Sequence, residues 1–141
     1  MKKLIIGLFA ALLMATGFVS FTSTSASAAC PYTGCIDTDV KIISSSDSID
    51  RGTAPSFTVK VTTDGNPKPK GTIKIVCSKP KTKRSGAGYA SVSYDYNGGT
   101  KTFDGPVLNK LGRWTCTVKF IPNEDSVYGR SSSSTTVRVH R

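Results

Sequence analysis

An unbroken alternation of apolar and polar side chains between Gly112 and Phe120 constrains the fold of this 141-residue chain more than any other feature. Four apolar side chains fall on one side of an extended strand: Trp114, Cys116, Val118 and Phe120. A strand with this pattern buries one face against a core and leaves the other face in solvent. The segment therefore predicts a sheet protein with a core beneath Trp114.

A second alternating run, from Thr72 to Cys77, places another cysteine at an inward strand position. Cys77 is therefore the predicted disulfide partner of Cys116, and Cys30 and Cys35 are predicted to close a short turn. Four cysteines allow three connectivities, and this one joins two inward positions. In the chain-entropy model the long bridge contributes about 4 kcal/mol and the short one about half as much. We expect no free thiol, because the four cysteines are an even number in a chain predicted to be exported. We expect no zinc site, because the cysteine spacing lacks a C-x-x-C pair.

The N-terminus has the organisation of a secretory signal peptide, predicted over residues 1–28. Two lysines precede an apolar run that extends to about Val19, and the small-residue segment that follows ends in the A-x-A pattern Ala26-Ser27-Ala28. The apolar run is shorter than the roughly 20 residues that a membrane span needs, which argues against an uncleaved anchor. The chain is therefore predicted to be secreted, with no transmembrane segment after signal removal.

Removal of residues 1–28 leaves a chain of the size of one small domain. The predicted organisation is an N-terminal segment, 29–38, with the short disulfide loop, followed by a β domain over 39–141. Lipid attachment at Cys30 is the alternative, but a serine stands where lipoprotein signals carry leucine, and attachment would leave Cys35 unpaired. The net charge of +10 falls to about +8 when the two signal-peptide lysines are removed, so the mature chain stays basic.

Short alternating runs separated by turn residues fill the rest of the chain, without the sustained 3.6-residue period of a helix. About seven strands predict an all-β fold, a two-sheet antiparallel sandwich of the immunoglobulin-like class. Pro67 and Pro69 exclude a central strand, and Asn97-Gly98-Gly99 predicts a hairpin turn. The serine-rich segment Ser131 to Ser134 is predicted to be a linker before a last strand, Thr135 to Val139. A closed barrel of the oligonucleotide-binding kind is the structural alternative.

The order of these pieces resembles a bacterial immunoglobulin-like domain, found singly or in tandem in exported surface proteins. Phe57 to Val61 resembles the family's second strand, and Pro69 to Ile75 resembles its proline-glycine turn and "P-x-G-T-V-x-F" third strand. Asp125 to Ser132 resembles the "D-x-x-Y-x-x-S" turn, and Val137 to Val139 resembles the final strand. The resemblance runs from about Asp39 to the end of the chain, and it implies an exported surface module with this fold.

One cysteine departs from the pattern of antibody domains. Gly112-Arg113-Trp114-Thr115-Cys116 resembles the immunoglobulin "G-x-Y-x-C", with Trp114 in the tyrosine position. Antibody-type domains pair that cysteine with one on the second strand, whereas Cys77 lies on the third. An antibody-like loop function is therefore not expected. Trp114, Phe57 and Phe120 are predicted to be core residues.

Catalysis is not expected, because the groups that it needs are scarce. The single histidine, His140, is the penultimate residue, so a serine triad cannot form. Close carboxylate pairs occur at Asp37 with Asp39 and at Glu124 with Asp125. Turn capping or solvation explains these pairs better than acid–base chemistry or calcium binding. We therefore expect no enzymatic activity, no metal and no cofactor.

The segment after the third strand carries the clearest charge cluster, and its candidate binding residues are Lys79, Lys81, Lys83 and Arg84. The summed field of such a cluster attracts anionic polymers or acidic partners. Loop charges that only keep a secreted domain soluble remain the alternative. Nucleic acid is disfavoured, because the chain is exported and its tyrosines are not interleaved with basic residues in a stacking pattern. Tyr94 and Tyr96 share one strand face, which is predicted to be core or half-core.

These features together predict a secreted, non-catalytic binding or adhesion module that contacts an anionic cell-surface polymer or another exported protein. The main alternative is a small-ligand carrier or protein inhibitor on a disulfide-linked sandwich, which needs a concave apolar pocket. A cationic factor that permeabilises anionic membranes is a third hypothesis.

Overall fold

The computed structural model describes residues 34–65 and 68–141. The predicted signal peptide, Cys30 and Pro67 lie outside the described residues. Within those ranges the chain forms eight strands and no helix. In chain order the strands are β1 (Thr38–Ser45), β2 (Ser48–Asp50), β3 (Ser56–Thr63), β4 (Gly71–Lys79), β5 (Gly88–Tyr96), β6 (Thr100–Asp104), β7 (Gly112–Pro122) and β8 (Ser131–His140).

The strands form two sheets, with the orders β1-β3-β6 and β2-β8-β7-β4-β5. The all-β, two-sheet prediction is confirmed. The expectation of uniformly antiparallel pairing is wrong for β2, which pairs parallel with β8. Periodicity does not reveal this short strand, because three residues are too few to show an alternation. It forms because the chain leaves the first sheet after β1 and crosses to the second, where the Arg138 N–H donates to the Asp47 carbonyl at 2.9 Å.

One apolar core lies between the two sheets. Inward residues of β1 and β3 from the first sheet meet inward residues of β4, β5, β7 and β8 from the second. The alternation predicted for β7 is observed, since Trp114, Cys116, Val118 and Phe120 are buried and the residues between them are exposed or half-buried. A contiguous core filled from both sheets is the mark of a sandwich-like, two-layer fold.

Cys77 and Cys116 form the predicted disulfide. The two residues lie directly opposite each other in the register of β4 and β7, with Cα atoms 4.0 Å apart. The bond therefore joins neighbouring strands of one sheet, whereas the antibody disulfide links two sheets. Cys35 is disulfide-bonded as well. Its predicted pairing with Cys30 stays a prediction, because Cys30 lies outside the described residues.

The prediction of a serine-rich linker is wrong, because β8 begins at Ser131. These serines extend the ladder with β7, in which Phe120 pairs with Ser131 and Thr117 with Ser134. Their hydroxyls pair with hydroxyls of neighbouring strands, at 2.7 Å between Ser131 and Thr38 and at 2.8 Å between Ser134 and Thr117. A strand held by backbone pairing and hydroxyl contacts has no apolar alternation, so periodicity could not detect it.

Trp114 fixes the end of the second sheet that lies nearest the loop after β4. Its side chain is buried, and its Nε1 donates to the Lys110 carbonyl at 2.8 Å. The ring packs so closely against Gly88 of β5 that a Cβ on this glycine would lie 2.3 Å from the indole. The predicted core role of Trp114 is confirmed, as it is for Phe57 and Phe120, which are fully buried.

Tyr96 ties the two sheets together at the end of β5. Its buried ring lies 6.4 Å from that of Phe103 on β6 and 6.0 Å from that of Phe120 on β7, measured between ring centroids. Its hydroxyl accepts a hydrogen bond from the Val61 N–H of β3 at 3.0 Å and donates to the Gly99 carbonyl. One phenol therefore satisfies a backbone group of β3 and a backbone group of the turn between β5 and β6.

Tyr96→Phe is expected to lower the free energy of unfolding by about 2 kcal/mol, because it leaves the buried Val61 N–H without a partner. Tyr94→Phe is the matched control. Tyr94 is partly buried against the same core, as predicted, but its hydroxyl donates to the Asp104 carbonyl at an exposed position, so its removal should cost less than about 1 kcal/mol. Urea denaturation measures both variants, and equal losses would contradict the bridging role of Tyr96.

Candidate binding surface

The predicted binding residues lie at one end of the five-stranded sheet, where β4 continues into the loop 80–87. Lys81, Lys83 and Arg84 are exposed on this loop. Thr82 and Ser85 close the turn that presents them, with reciprocal backbone N···O distances of 2.8 and 3.3 Å. Lys83 and Arg84 therefore lie within one turn, and Lys81 directly precedes it. These three residues are called the basic loop below.

Lys79 does not belong to the exposed cluster, which corrects its assignment as a contact residue. It is the last residue of β4 and lies on the same inward face as Cys77, with 4% of its surface exposed. Its Nζ donates to the carbonyls of Pro80 and Gly86, both at 3.3 Å. Because alternate residues of a strand face the same side, the aliphatic part of the Lys79 side chain points inward with Cys77. The two carbonyls accept hydrogen bonds from its ammonium group. Lys79 therefore holds the base of the loop in place.

An open groove of about 500 Å³ lies between the basic loop and the start of β7. Arg84 from the loop and Arg113 from β7 both line this groove, together with Pro80 and Leu111. The groove thus brings together two arginines from separate elements, and guanidinium groups bind carboxylate, phosphate and sulfate groups. In the sequence Arg113 is one polar residue of an alternating strand, with no pattern that connects it to the loop, so the groove adds it to the candidate site.

The outward face of the five-stranded sheet carries like charges directly opposite each other. Arg113 of β7 pairs in register with Arg138 of β8, and Lys119 of β7 pairs with Lys74 of β4. Like charges at directly opposed positions destabilise a sheet. The sequence shows four cations at polar positions of three strands, but only the register reveals that they face one another. These four residues are called the cation pairs below.

A shallow depression of about 520 Å³ surrounds the second of these pairs. Lys74 and Lys119 line it together with Arg130 and with Tyr89, whose side chain is 70% exposed. A ring of a ligand could pack against the Tyr89 side chain, and the three cations could donate hydrogen bonds to its anionic groups. Arg130 and Tyr89 were not among the candidate residues, because no local pattern connects them to β4 and β7.

Carboxylates do not neutralise these cations in the described part of the chain. The one ion pair found there joins His140 Nε2 to Asp50 Oδ1 at 3.3 Å, where β8 pairs with the edge strand β2, two residues along β8 from Arg138. His140 also hydrogen-bonds the Ser48 hydroxyl through Nδ1 at 2.9 Å. The histidine thus takes part in an edge contact, and the basic face keeps its uncompensated charge.

Residues 34–65 and 68–141 contain no group of three or more histidine, cysteine, aspartate or glutamate side chains placed to hold a metal ion. No helix in the same residues is long and apolar enough to cross a membrane. The chemistry available at the basic face is therefore that of lysine and arginine donors, serine and threonine hydroxyls, and one exposed tyrosine.

No family model matches this chain, and no curated protein matches it. Solved structures similar to it include a β-glucosidase from Listeria innocua in complex with glucose, at 14% identity and a TM-score of 0.49, which covers 75% of this chain and 16% of the enzyme. Another is a CARDB domain from Pyrococcus furiosus in complex with di-metal ions, at 14% identity and a TM-score of 0.44, over 77% of this chain and 96% of the domain. This chain spans about a sixth of the enzyme's length. At these TM-scores neither similarity assigns a family or an activity to this chain.

Proposed function

We propose that this chain is a secreted, non-catalytic binding module of the bacterial immunoglobulin-like class that binds an anionic polymer at the cell surface. Two sheets packed around one apolar core support the class, although β2 departs from its antiparallel pattern. β1 begins in one sheet, and its continuation β2 pairs parallel with the last strand in the other sheet, while β3 and β6 stay with β1. Binding requires no acid, base or nucleophile, which agrees with the composition of the basic face.

The uncompensated cation pairs carry the proposal. Like charges directly opposite each other in a sheet lower its stability, a cost that a bound opposite charge would remove. A bound polyanion supplies that opposite charge, since one anionic group can lie between both members of a pair. Relief of the repulsion that is present in the free protein therefore contributes to the binding free energy.

The spacing of the charges favours a polymer over a small anion. Arg113 and Lys119, which belong to different cation pairs, are six residues apart on β7, or about 20 Å along an extended strand. The basic loop continues the face beyond Arg113, because Arg84 and Arg113 line one groove. A chain with repeating anionic groups could contact the loop and both pairs at once, whereas a single phosphate reaches one of them.

The test is co-sedimentation of the mature protein with isolated bacterial envelopes and with dextran sulfate beads, across a salt titration. Lys81→Gln/Lys83→Gln/Arg84→Gln is expected to weaken binding about tenfold, the sum of three exposed charge contacts, and to leave the melting temperature nearly unchanged. Wild-type binding should weaken as salt rises, because exposed charge pairing is screened.

A matched control removes the same number of charges from the other sheet. Lys41, Lys60 and Lys101 are exposed on β1, β3 and β6, and Lys41→Gln/Lys60→Gln/Lys101→Gln should bind almost as well as wild type. Equal weakening in both triple variants would mean that net charge alone drives binding. Absence of wild-type binding at low salt would contradict the proposal.

The groove beside the basic loop favours one alternative, a carrier of small ligands. It is lined in part by Pro80 and Leu111, and Leu111 follows the residue that accepts the Trp114 hydrogen bond. An apolar ligand in this groove should therefore change the fluorescence of Trp114. A saturable change with a neutral apolar dye, unaffected by dextran sulfate, would favour the carrier over the polymer-binding module.

A further inference from the structure

The two sheets end in four edge strands, and three of these are protected against pairing with another chain. The edges are β1 and β6 in the first sheet and β2 and β5 in the second. β2 has three residues, and β6 has five, including Lys101. β1 carries Lys41 and a register shift between Ile42 and Ser44. Short length, lysines and bulges are the devices that keep edge strands from adding neighbours.

β5 has none of these devices. It is nine residues long, contains no proline, lysine or arginine, and pairs with β4 in an unbroken register from Gly88 to Tyr96. In the described part of the chain its backbone makes no hydrogen bond to any strand or loop other than β4. Alternate N–H and C=O groups along its free side are therefore available to another strand.

The side chains of β5 also leave room for a neighbour. Ala90 and Val92 point inward and pack against the core, yet each is only partly buried at this edge. Ser91 and Ser93 point outward and are exposed. An added strand would cover the apolar side chains on the inner side and would lie beside small hydroxyls on the outer side, without displacing a bulky group.

We infer that a second copy of this chain adds antiparallel to β5, which continues the five-stranded sheet into one of ten strands. The sequence of β5 is self-complementary about a two-fold axis at Val92. In that register Ser91 lies opposite Ser93 of the partner, and Tyr89 lies opposite Asp95. Asp95 is the one charged residue of the strand, so no like charges oppose each other. The contact is isologous and closes at two copies.

This dimer does not depend on the proposed polymer binding. The two interactions are expected to respond to salt in opposite directions, so a salt titration distinguishes them. Each copy carries a net charge of about +8 after signal removal, so long-range repulsion opposes dimerisation and added salt should strengthen it. Polymer binding should weaken with the same salt. The face that carries the cation pairs would become continuous across the dimer, which raises avidity for any extended ligand.

Sedimentation velocity of the mature chain across protein concentration, at low and moderate salt, tests the inference. We expect a monomer–dimer equilibrium in which the dimer gains at higher salt. Ser91→Lys/Ser93→Lys places lysine opposite lysine twice in the dimer and should raise the dissociation constant at least tenfold. Ser91→Lys/Ser93→Glu places lysine opposite glutamate at the same positions and should restore association.

Ser134→Lys/Thr136→Lys is the matched control, since it adds the same two charges at exposed positions of β8. It should dimerise like wild type. A monomer at every concentration and salt would overturn the inference, and so would growth beyond two copies. If folded variants at Ser91 and Ser93 dimerise like wild type, the contact lies on another surface. That result would also overturn the inference.

Discussion

Replacing Cys77 and Cys116 together with alanine is expected to lower the free energy of unfolding by about 4 kcal/mol. The bond closes a loop of 39 residues, and its removal restores the conformational entropy of that loop to the unfolded chain. For a domain of this size the loss corresponds to a fall of roughly 15–20 °C in melting temperature. Thermal and urea unfolding of the oxidised wild type and of the variant measure it.

The predicted Cys30–Cys35 loop offers a matched control. Cys30→Ala/Cys35→Ala also removes two cysteines, but the loop in question is only five residues long, so the same model gives about half the loss. A smaller effect at Cys77 and Cys116 than at this pair would show that β4 and β7 are already held together in the unfolded ensemble. That outcome would contradict the entropic account of the long bridge.

The Cys77–Cys116 bond and the inward face of β7 could be predicted because both depend on a local period. Alternation over nine residues assigns each side chain to one face, and a cysteine on the inward face of each of two strands leaves few other partners. Cross-strand register confirms the pair. Predictions of this kind hold when the information lies within one strand.

The errors arose where tertiary contacts decide. Lys79 continues the inward parity of Cys77. Its charge predicts an exposed loop position instead, because lysine is rarely buried unless its ammonium is paired. The four serines from Ser131 to Ser134 predict a linker because they show no apolar alternation, but pairing with β7 makes them part of a strand. In both cases a neighbouring element satisfies the polar group, and no local pattern shows that neighbour.

The cation pairs could not be predicted from the sequence for a related reason. Arg113 and Arg138 are 25 positions apart, and Lys74 and Lys119 are farther apart still, so only register brings each pair together. The predicted loop cluster and the observed pairs now form parts of one basic face, connected through Arg84 and Arg113. This widens the candidate site from a single loop to a loop and a sheet face.

Gly71 occupies a position of β4 that leaves no room for a side chain beside the backbone of β7. It pairs with Pro122 of β7 on one side and with Tyr96 of β5 on the other. A Cβ at this glycine would lie 2.3 Å from the Ile121 carbonyl oxygen and 2.8 Å from the Cα of Pro122. These are backbone atoms, which cannot rotate away as the end of a flexible side chain can.

Gly71→Ala is therefore expected to lower the free energy of unfolding by about 3 kcal/mol, because the added methyl group forces β4 and β7 apart beside buried Phe120. Gly86→Ala is the matched control, since a Cβ there meets only the flexible end of Lys110, at 3.7 Å, and should change stability by less than about 1 kcal/mol. Urea denaturation distinguishes the two variants. A Gly71→Ala protein as stable as wild type would mean that β4 and β7 do not approach in this register, and the opposed Lys74 and Lys119, which depend on that register, would then lose their basis as well.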